Sequence, residues 1–229
     1  MIFHDFLARK RQTAGLLVSL VLGSPGLLLA AGSAQVDFLV GSVQASSPTG
    51  GERRLSKGSA VVSGDTIRTA VDSRVHLRFD DGAVISLQPQ SEFRLDDYHF
   101  AGKSDGQERG FFSLLKGGMR TITGLIGRTK RDAYRVTTSV ATIGIRGTEY
   151  TLLYTGADNL AVATGEGAIE ICNEGGCEVL TSGESAVVKG KAGAIERGDF
   201  RPQLVPPQPI ALLLPQFSTS EYKNTDGSV

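Results

Sequence analysis

Chemistry in this chain would have to come from a short inventory of side chains. Acidic residues gather at Asp80, Asp81, Glu92, Asp96 and Asp97, and a carboxylate pair across a cleft is what glycan hydrolysis would need. Beyond the first 34 residues the histidines are His76 and His99, and neither has a partner at metal-ligand spacing or belongs to a recognisable triad. A phosphate loop ending in Gly-Lys-Ser/Thr is missing. So is a G-x-S-x-G elbow, because Gly183-Glu184-Ser185-Ala186 lacks the second glycine. Cys172 and Cys177 have no nearby histidine and fall short of the four ligands of a structural zinc. They enclose Asn173-Glu174-Gly175-Gly176, and in an oxidising compartment two cysteines facing each other across such a hairpin should bridge. No catalytic residue, metal or cofactor is assigned, and the chain is read as a non-enzyme.

Binding chemistry has more candidates. Arg120, Arg128, Lys130, Arg131 and Arg135 form the most basic stretch, which reads either as a site for an anionic glycan, a teichoic-like polymer or a phosphate backbone, or as a solvated rim. The rim is the expected reading, because aromatic residues are not interleaved with it and the overall charge is balanced. Arg146, between Gly144 and Gly147, could offer a planar fork to a carboxylate or phosphate. Its flanking glycines equally suit a bulge, with Arg146 bonded to loop carbonyls or paired with an acid such as Asp65. Asp65, after Gly64, is expected to cap its own turn rather than to hold a ligand.

The elements that must position these residues are strands. Val36, Phe38, Val40 and Val43 open the first strand region; Val75, Leu77 and Phe79 alternate with His76, Arg78 and Asp80, which puts His76 on the polar, wet face. Asp81-Gly82 turns this strand into Val84, Ile85 and Leu87, and Phe93 and Leu95 carry the pattern on. Residues 101–110 are too poor in apolar side chains to be buried and are expected as a surface loop. Strand character resumes over Phe111 to Leu115 and Met119 to Thr123, and Gly124 to Asp132 is a second polar break. Later strands are expected over Tyr134–Ile145, Glu149–Tyr154, Leu160–Thr164, Ala168–Cys172, Glu178–Leu180 and Ser185–Val188. The 29 glycines supply the turns, and helical periodicity is almost missing. The pattern predicts an all-β fold of short strands in two facing sheets, solenoid-like or a sandwich. Pro202, Pro206, Pro207, Pro209 and Pro215 predict a proline-rich, extended C-terminal tail, polar from Ser218 onward.

Three motifs carry a resemblance. Lys57-Gly58 leads to Gly64-Asp65-Thr66-Ile67-Arg68-Thr69, Ser73, Leu77, Phe79, Asp81-Gly82, Ile85 and Leu87; Phe112-Ser113-Leu114-Leu115-Lys116-Gly117-Gly118-Met119-Arg120 follows; then comes Tyr134 to Tyr150 with Gly144-Ile145-Arg146-Gly147-Thr148. Together they resemble the FecR-type domain, with its G-D-x-I-x-T, D-G, L-x-x-G-x-x-R and G-I-R-G-T elements in order, over residues 41–155. Ser139 stands where the family often has proline, which implies a less rigid backbone there. The resemblance implies a β module outside the cytoplasm. Full FecR-like regulators join such a domain to a membrane span and a cytoplasmic anti-sigma segment, whereas many relatives carry the domain alone.

The N-terminus fits export. Arg9, Lys10 and Arg11 precede the apolar run from Ala14 to Ala30, and Gly32 and Ala34 suit cleavage before Gln35. An uncleaved anchor is the alternative, weakened by Pro25 and its neighbouring glycines. The organisation is therefore read as a secretory signal at 1–34, a FecR-like domain at 35–200 and a tail at 201–229. Too little chain precedes the apolar run for an anti-sigma segment. Cleavage takes Arg9, Lys10, Arg11 and Asp5 from 24 basic and 24 acidic side chains, leaving 21 and 23. Near-neutral charge gives no drive toward nucleic acid or an anionic membrane. The expected function is a non-catalytic periplasmic or secreted binding or scaffolding module that recognises an envelope protein or cell-wall polymer. The alternative is the periplasmic sensor part of an anti-sigma signalling system.

Overall fold

Period-two alternation, punctuated by glycine turns, divides the chain into strands over residues 33–102 and 106–200, the part that this computed structural model describes. In chain order they are β1 (Ala34–Val40), β2 (Val43–Ser46), β3 (Glu52–Arg54), β4 (Ala60–Val61), β5 (Thr66–Thr69), β6 (Arg74–Phe79), β7 (Val84–Leu87) and β8 (Glu92–His99). They continue as β9 (Arg109–Lys116), β10 (Gly118–Ile122), β11 (Tyr134–Thr137), β12 (Thr142–Tyr154), β13 (Asn159–Asn173), β14 (Gly176–Thr181), β15 (Ser185–Lys189) and β16 (Ile195–Arg197). The expected signal segment and proline-rich tail lie outside the described residues.

Two long strands make the architecture. The start of β12 pairs with β11, through Val136 opposite Ile143, while its end pairs with β10, through Arg120 opposite Thr151. Strand β13 divides in the same way, its first half bonding β15 and its second half β14. One hydrogen-bonded path is thereby wound back on itself into two facing layers. The first sheet runs β4-β1-β6-β7-β10-β12-β13-β15-β16 and the second β3-β2-β5-β8-β9-β11-β12-β13-β14. Pairing is antiparallel except for β9 with β11, which is parallel. The fold is mostly β, as the alternation predicts.

Inward side chains of the two layers meet in one core. Phe79 of the first sheet packs against Phe112 and Tyr98 of the second, at ring-centroid distances of 5.4 and 5.2 Å. Ile67, Leu77, Ile85, Phe93, Leu114, Met119, Ile143, Tyr150 and Ile169 are fully buried around them. Burying each large apolar side chain is worth about 1.5–3 kcal/mol, so this interior supplies the main driving force.

Several expectations give way to tertiary structure. Phe38 and Val40 are not in the core: the register of β1 with β6 shifts between Val36 and Phe38, and this bulge turns both outward. The stretch Tyr134–Ile145 is two strands, separated by a turn in which Thr138 Oγ1 accepts from the Val140 and Ala141 amides. Conversely, the glycines at 165 and 167 do not interrupt β13, which runs through both segments expected there. The polar break after Gly124 contains a short helix, α1 (Leu125–Thr129), followed by a 3₁₀ turn at Arg131–Ala133. Its Ile126 is buried in the core, an anchor too small to give a helical period. The predicted loop at 101–110 ends early, since Arg109 and Gly110 belong to β9 and Glu108 is buried. Among the described residues no helix is long and apolar enough to cross a membrane.

Candidate functional site

The motif residues are brought together by the fold, largely as ties between turns. Asp65 is completely buried. Its carboxylate accepts from both guanidinium ends of Arg53, with Nη1 at 2.9 Å, and from the Val62 amide at 2.9 Å. It caps its own turn as predicted, but its cation is Arg53 of β3 rather than Arg146. Arg53 also donates to the Ala60 carbonyl, so one side chain stitches the edge of the second sheet to the edge of the first. Thr69 likewise holds the turn between β7 and β8: its hydroxyl donates to the Gln88 carbonyl at 2.6 Å and accepts the Ser91 amide at 2.8 Å.

Asp81 is the second hub. Its Oδ1 accepts from the Ala83 amide at 3.1 Å and the Tyr98 hydroxyl at 3.0 Å, while Oδ2 accepts the Ile126 amide at 3.2 Å. The Leu125 amide donates to the Asp81 carbonyl at 3.0 Å. The Asp-Gly hairpin thus seats the start of α1, and it needs glycine at 124, where a Cβ would come within 2.4 Å of the Asp81 carboxylate. Burial, then the Asp81 charge, pushes the Tyr98 hydroxyl well above its ordinary pKa. Nearby, the buried hydroxyls of Tyr134 and Tyr150 share a hydrogen bond of 2.8 Å, and burial raises the pKa of both. All three tyrosines therefore stay neutral at physiological pH.

The other acids do not converge on a cleft. Glu92 pairs with Arg68 at 2.8 Å, Asp96 with Arg94 and the Ser113 hydroxyl, and Asp97 with Arg109. Asp80 has a raised pKa from burial and from its neighbour Asp81. A cleft of about 680 Å³ is lined by Pro89, Gln90, Glu92, Leu115, Lys116 and Leu153, so of these acids Glu92 alone lines it. Among the described residues no group of three His, Cys, Asp or Glu side chains is placed to hold a metal ion.

The basic stretch is split up by the fold. Arg120 projects from β10 and donates twice to Glu149 Oε1, at 2.7 and 2.9 Å. Lys130 pairs with the buried Glu108. Arg135 lies 4.7 Å over the Phe111 ring, whereas Arg128 and Arg131 are exposed on α1 and the following turn. Arg146 is also exposed, at the predicted bulge: the register of β12 with β13 slips between Arg146 and Glu149, and Gly147 supplies the positive φ of 64°. Gly144 stays in register opposite Glu170, and the Thr148 side chain lies outside the described residues. Gly64 and Gly82 occupy the turns predicted for them.

Sequence reasoning missed three features. Arg53 gives no local sign that it will meet Asp65 12 residues away. Ser139, read as a looser substitute for proline, uses the amide that proline lacks: it donates to the Tyr154 hydroxyl at 2.8 Å. His76, read as solvent-exposed, is half-buried against Phe38, with ring centroids 5.4 Å apart, and burial lowers its pKa. The cysteines form the expected disulfide, opposite one another in the β13–β14 hairpin.

Residues 65–170 match the family model described as FecR protein, so this part of the chain is similar to a FecR-type domain. The chain is also similar to two solved structures of a proposed anti-sigma factor from Parabacteroides distasonis ATCC 8503, each at 18% identity and a TM-score of 0.46. The match covers 58% of this chain and 58% of that one, so the chain spans less than two thirds of that protein. No curated protein matches the sequence.

Proposed function

We propose that the chain is a non-catalytic, exported binding module of FecR type that recognises an envelope protein or cell-wall polymer. The observation that carries this reading is how the motif side chains are used. Asp65, Asp81, Thr69, Arg120 and Lys130, the residues best suited to chemistry, are each bonded to another part of the fold. Function is then left to the surface. The disulfide across an exposed hairpin supports an oxidising compartment such as the periplasm. Cleavage before Gln35 would leave β1 short of its first residue, Ala34, while keeping the pairing of Gln35 with Arg78. The FecR match favours a second reading, a sensor part that passes receptor occupancy to a separately encoded membrane regulator.

Crosslinking of the exported protein in its native host tests the proposal, with Arg146→Ala as a parallel sample. Recovery of an outer-membrane receptor or an anti-sigma protein would favour signalling, and wall fragments or structural envelope proteins would favour scaffolding. Recovery of nothing beyond the uncrosslinked control would contradict both.

A further inference from the structure

The bulge in β1 has a consequence for the outer face of the first sheet. It sets Asp37 and Phe38 in succession on the outside, after which Val40 also points out. Phe38 and Val40 are 45% and 46% exposed, although alternation alone would have buried them. Beside Phe38 lies His76 on β6; His76 stands opposite Ser86 on β7, and Ser86 opposite Arg120 on β10. Arg74, two residues before His76 and opposite Val40, completes the patch.

The charges here are unequal. Asp37 occupies Arg78 at 2.6 Å and Glu149 occupies Arg120. Arg74 has no ion pair among the described residues, and its buried Nε has no hydrogen-bond partner. The patch therefore combines an exposed aromatic and an aliphatic side chain with one uncompensated guanidinium and a second held only by an outer-face carboxylate. Burial is the main cause of the lowered His76 pKa; Asp37 opposes it, and Arg120 and Arg74 add to it.

The geometry points to Phe38, Val40, Arg74, His76 and Arg120 as the docking surface for an extended segment of a protein partner in which apolar and acidic side chains alternate. This rests on the binding-module reading above. Strands lie about 4.8 Å apart, so Arg120 is roughly 10 Å from His76 across β7, a span that an extended segment covers in about three residues. An apolar anchor between Phe38 and Val40 would leave carboxylates within reach of Arg74 and Arg120. A polyanion such as a wall polymer is the poorer fit, because it gains little from one unpaired arginine on a nearly neutral chain.

The test uses isotope-labelled exported protein titrated with a capped Glu-Leu-Glu-Leu-Glu peptide, its Lys-Leu counterpart and polyphosphate, followed by NMR. The acidic peptide should shift Phe38, His76, Ser86 and Arg120 and raise the His76 pKa, because a bound carboxylate stabilises the imidazolium against Arg120 and Arg74. Phe38→Ser and Arg74→Glu, each with an unchanged thermal melt, should weaken binding about tenfold. Shifts confined to other surfaces, equal binding of the lysine peptide, or equal binding of polyphosphate at these residues would each overturn the proposal. In the host, a partner captured equally by wild type and by Phe38→Ser would sink the patch and leave the binding module standing; no capture by wild type would sink both.

Discussion

The two outer faces of the molecule solve the same problem differently. On the second sheet, Arg68 meets Glu92, Arg94 meets Asp96, Arg109 meets Asp97, and the Phe111 ring is covered by Arg135. On the first, a bulge turns Phe38 and Val40 toward water and Arg74 stands without an ion pair among the described residues. A single exposed phenylalanine is ordinary. An aromatic exposed by a break in its own strand's alternation, on the same face as an unpaired cation, is the ground for the docking surface proposed above. The second face pairs most of its charges, although Leu115 is 43% exposed there; the first combines its exposed side chains with a break in strand alternation.

The largest change should come from the seam that holds both faces in place. Arg53→Met leaves the buried Asp65 carboxylate without its cation and should cost about 3 kcal/mol in urea unfolding, loosening both sheets together. Next in size, Ser139→Pro removes the amide that donates to Tyr154 and should cost about 1–2 kcal/mol in the same assay. A stabilising Ser139→Pro would mean that this turn follows the family pattern after all.

The faces themselves are compared by a pair of changes. Phe111→Ser should lose about 0.5–1 kcal/mol, since it uncovers Arg135, and should leave partner capture intact. Phe38→Ser should move stability by less than about 0.5 kcal/mol yet reduce capture about tenfold. The smallest effect is on pH dependence. His76 has a folded pKa below its ordinary 6.5, so the unfolded chain takes up the proton first. Stability is therefore complete above pH 6.5, falls as pH drops from there to the folded pKa, and falls no further on this account below it. His76→Gln should flatten that segment of the pH–stability curve, and an unchanged slope would remove the half-buried histidine from the description of this face.

Much of this was legible in the residues. Asp81-Gly82 announces its hairpin, Gly144 to Gly147 its bulge, and Cys172 and Cys177 their bridge, because each depends on backbone geometry or on side chains a few positions apart. The core could be read wherever alternation was unbroken, as at Val75, Leu77 and Phe79. What failed depends on pairing between distant strands. Nothing local to Val36-Asp37-Phe38 shows that β6 will force a bulge there, so Phe38 and Val40 were assigned to the wrong face. The five residues of α1 are too few for a helical period, and their place is fixed by Asp81. For the same reason the basic stretch looked continuous in sequence, while the fold sends Arg120, Lys130 and Arg135 to different partners.

The most direct test of the difference between the faces is site-specific photocrosslinking in the native host, with p-benzoylphenylalanine placed at position 38 or at position 111. The account predicts an adduct with one envelope protein from position 38 and none from position 111. An adduct from position 111 alone, or equal adducts from both, would contradict it.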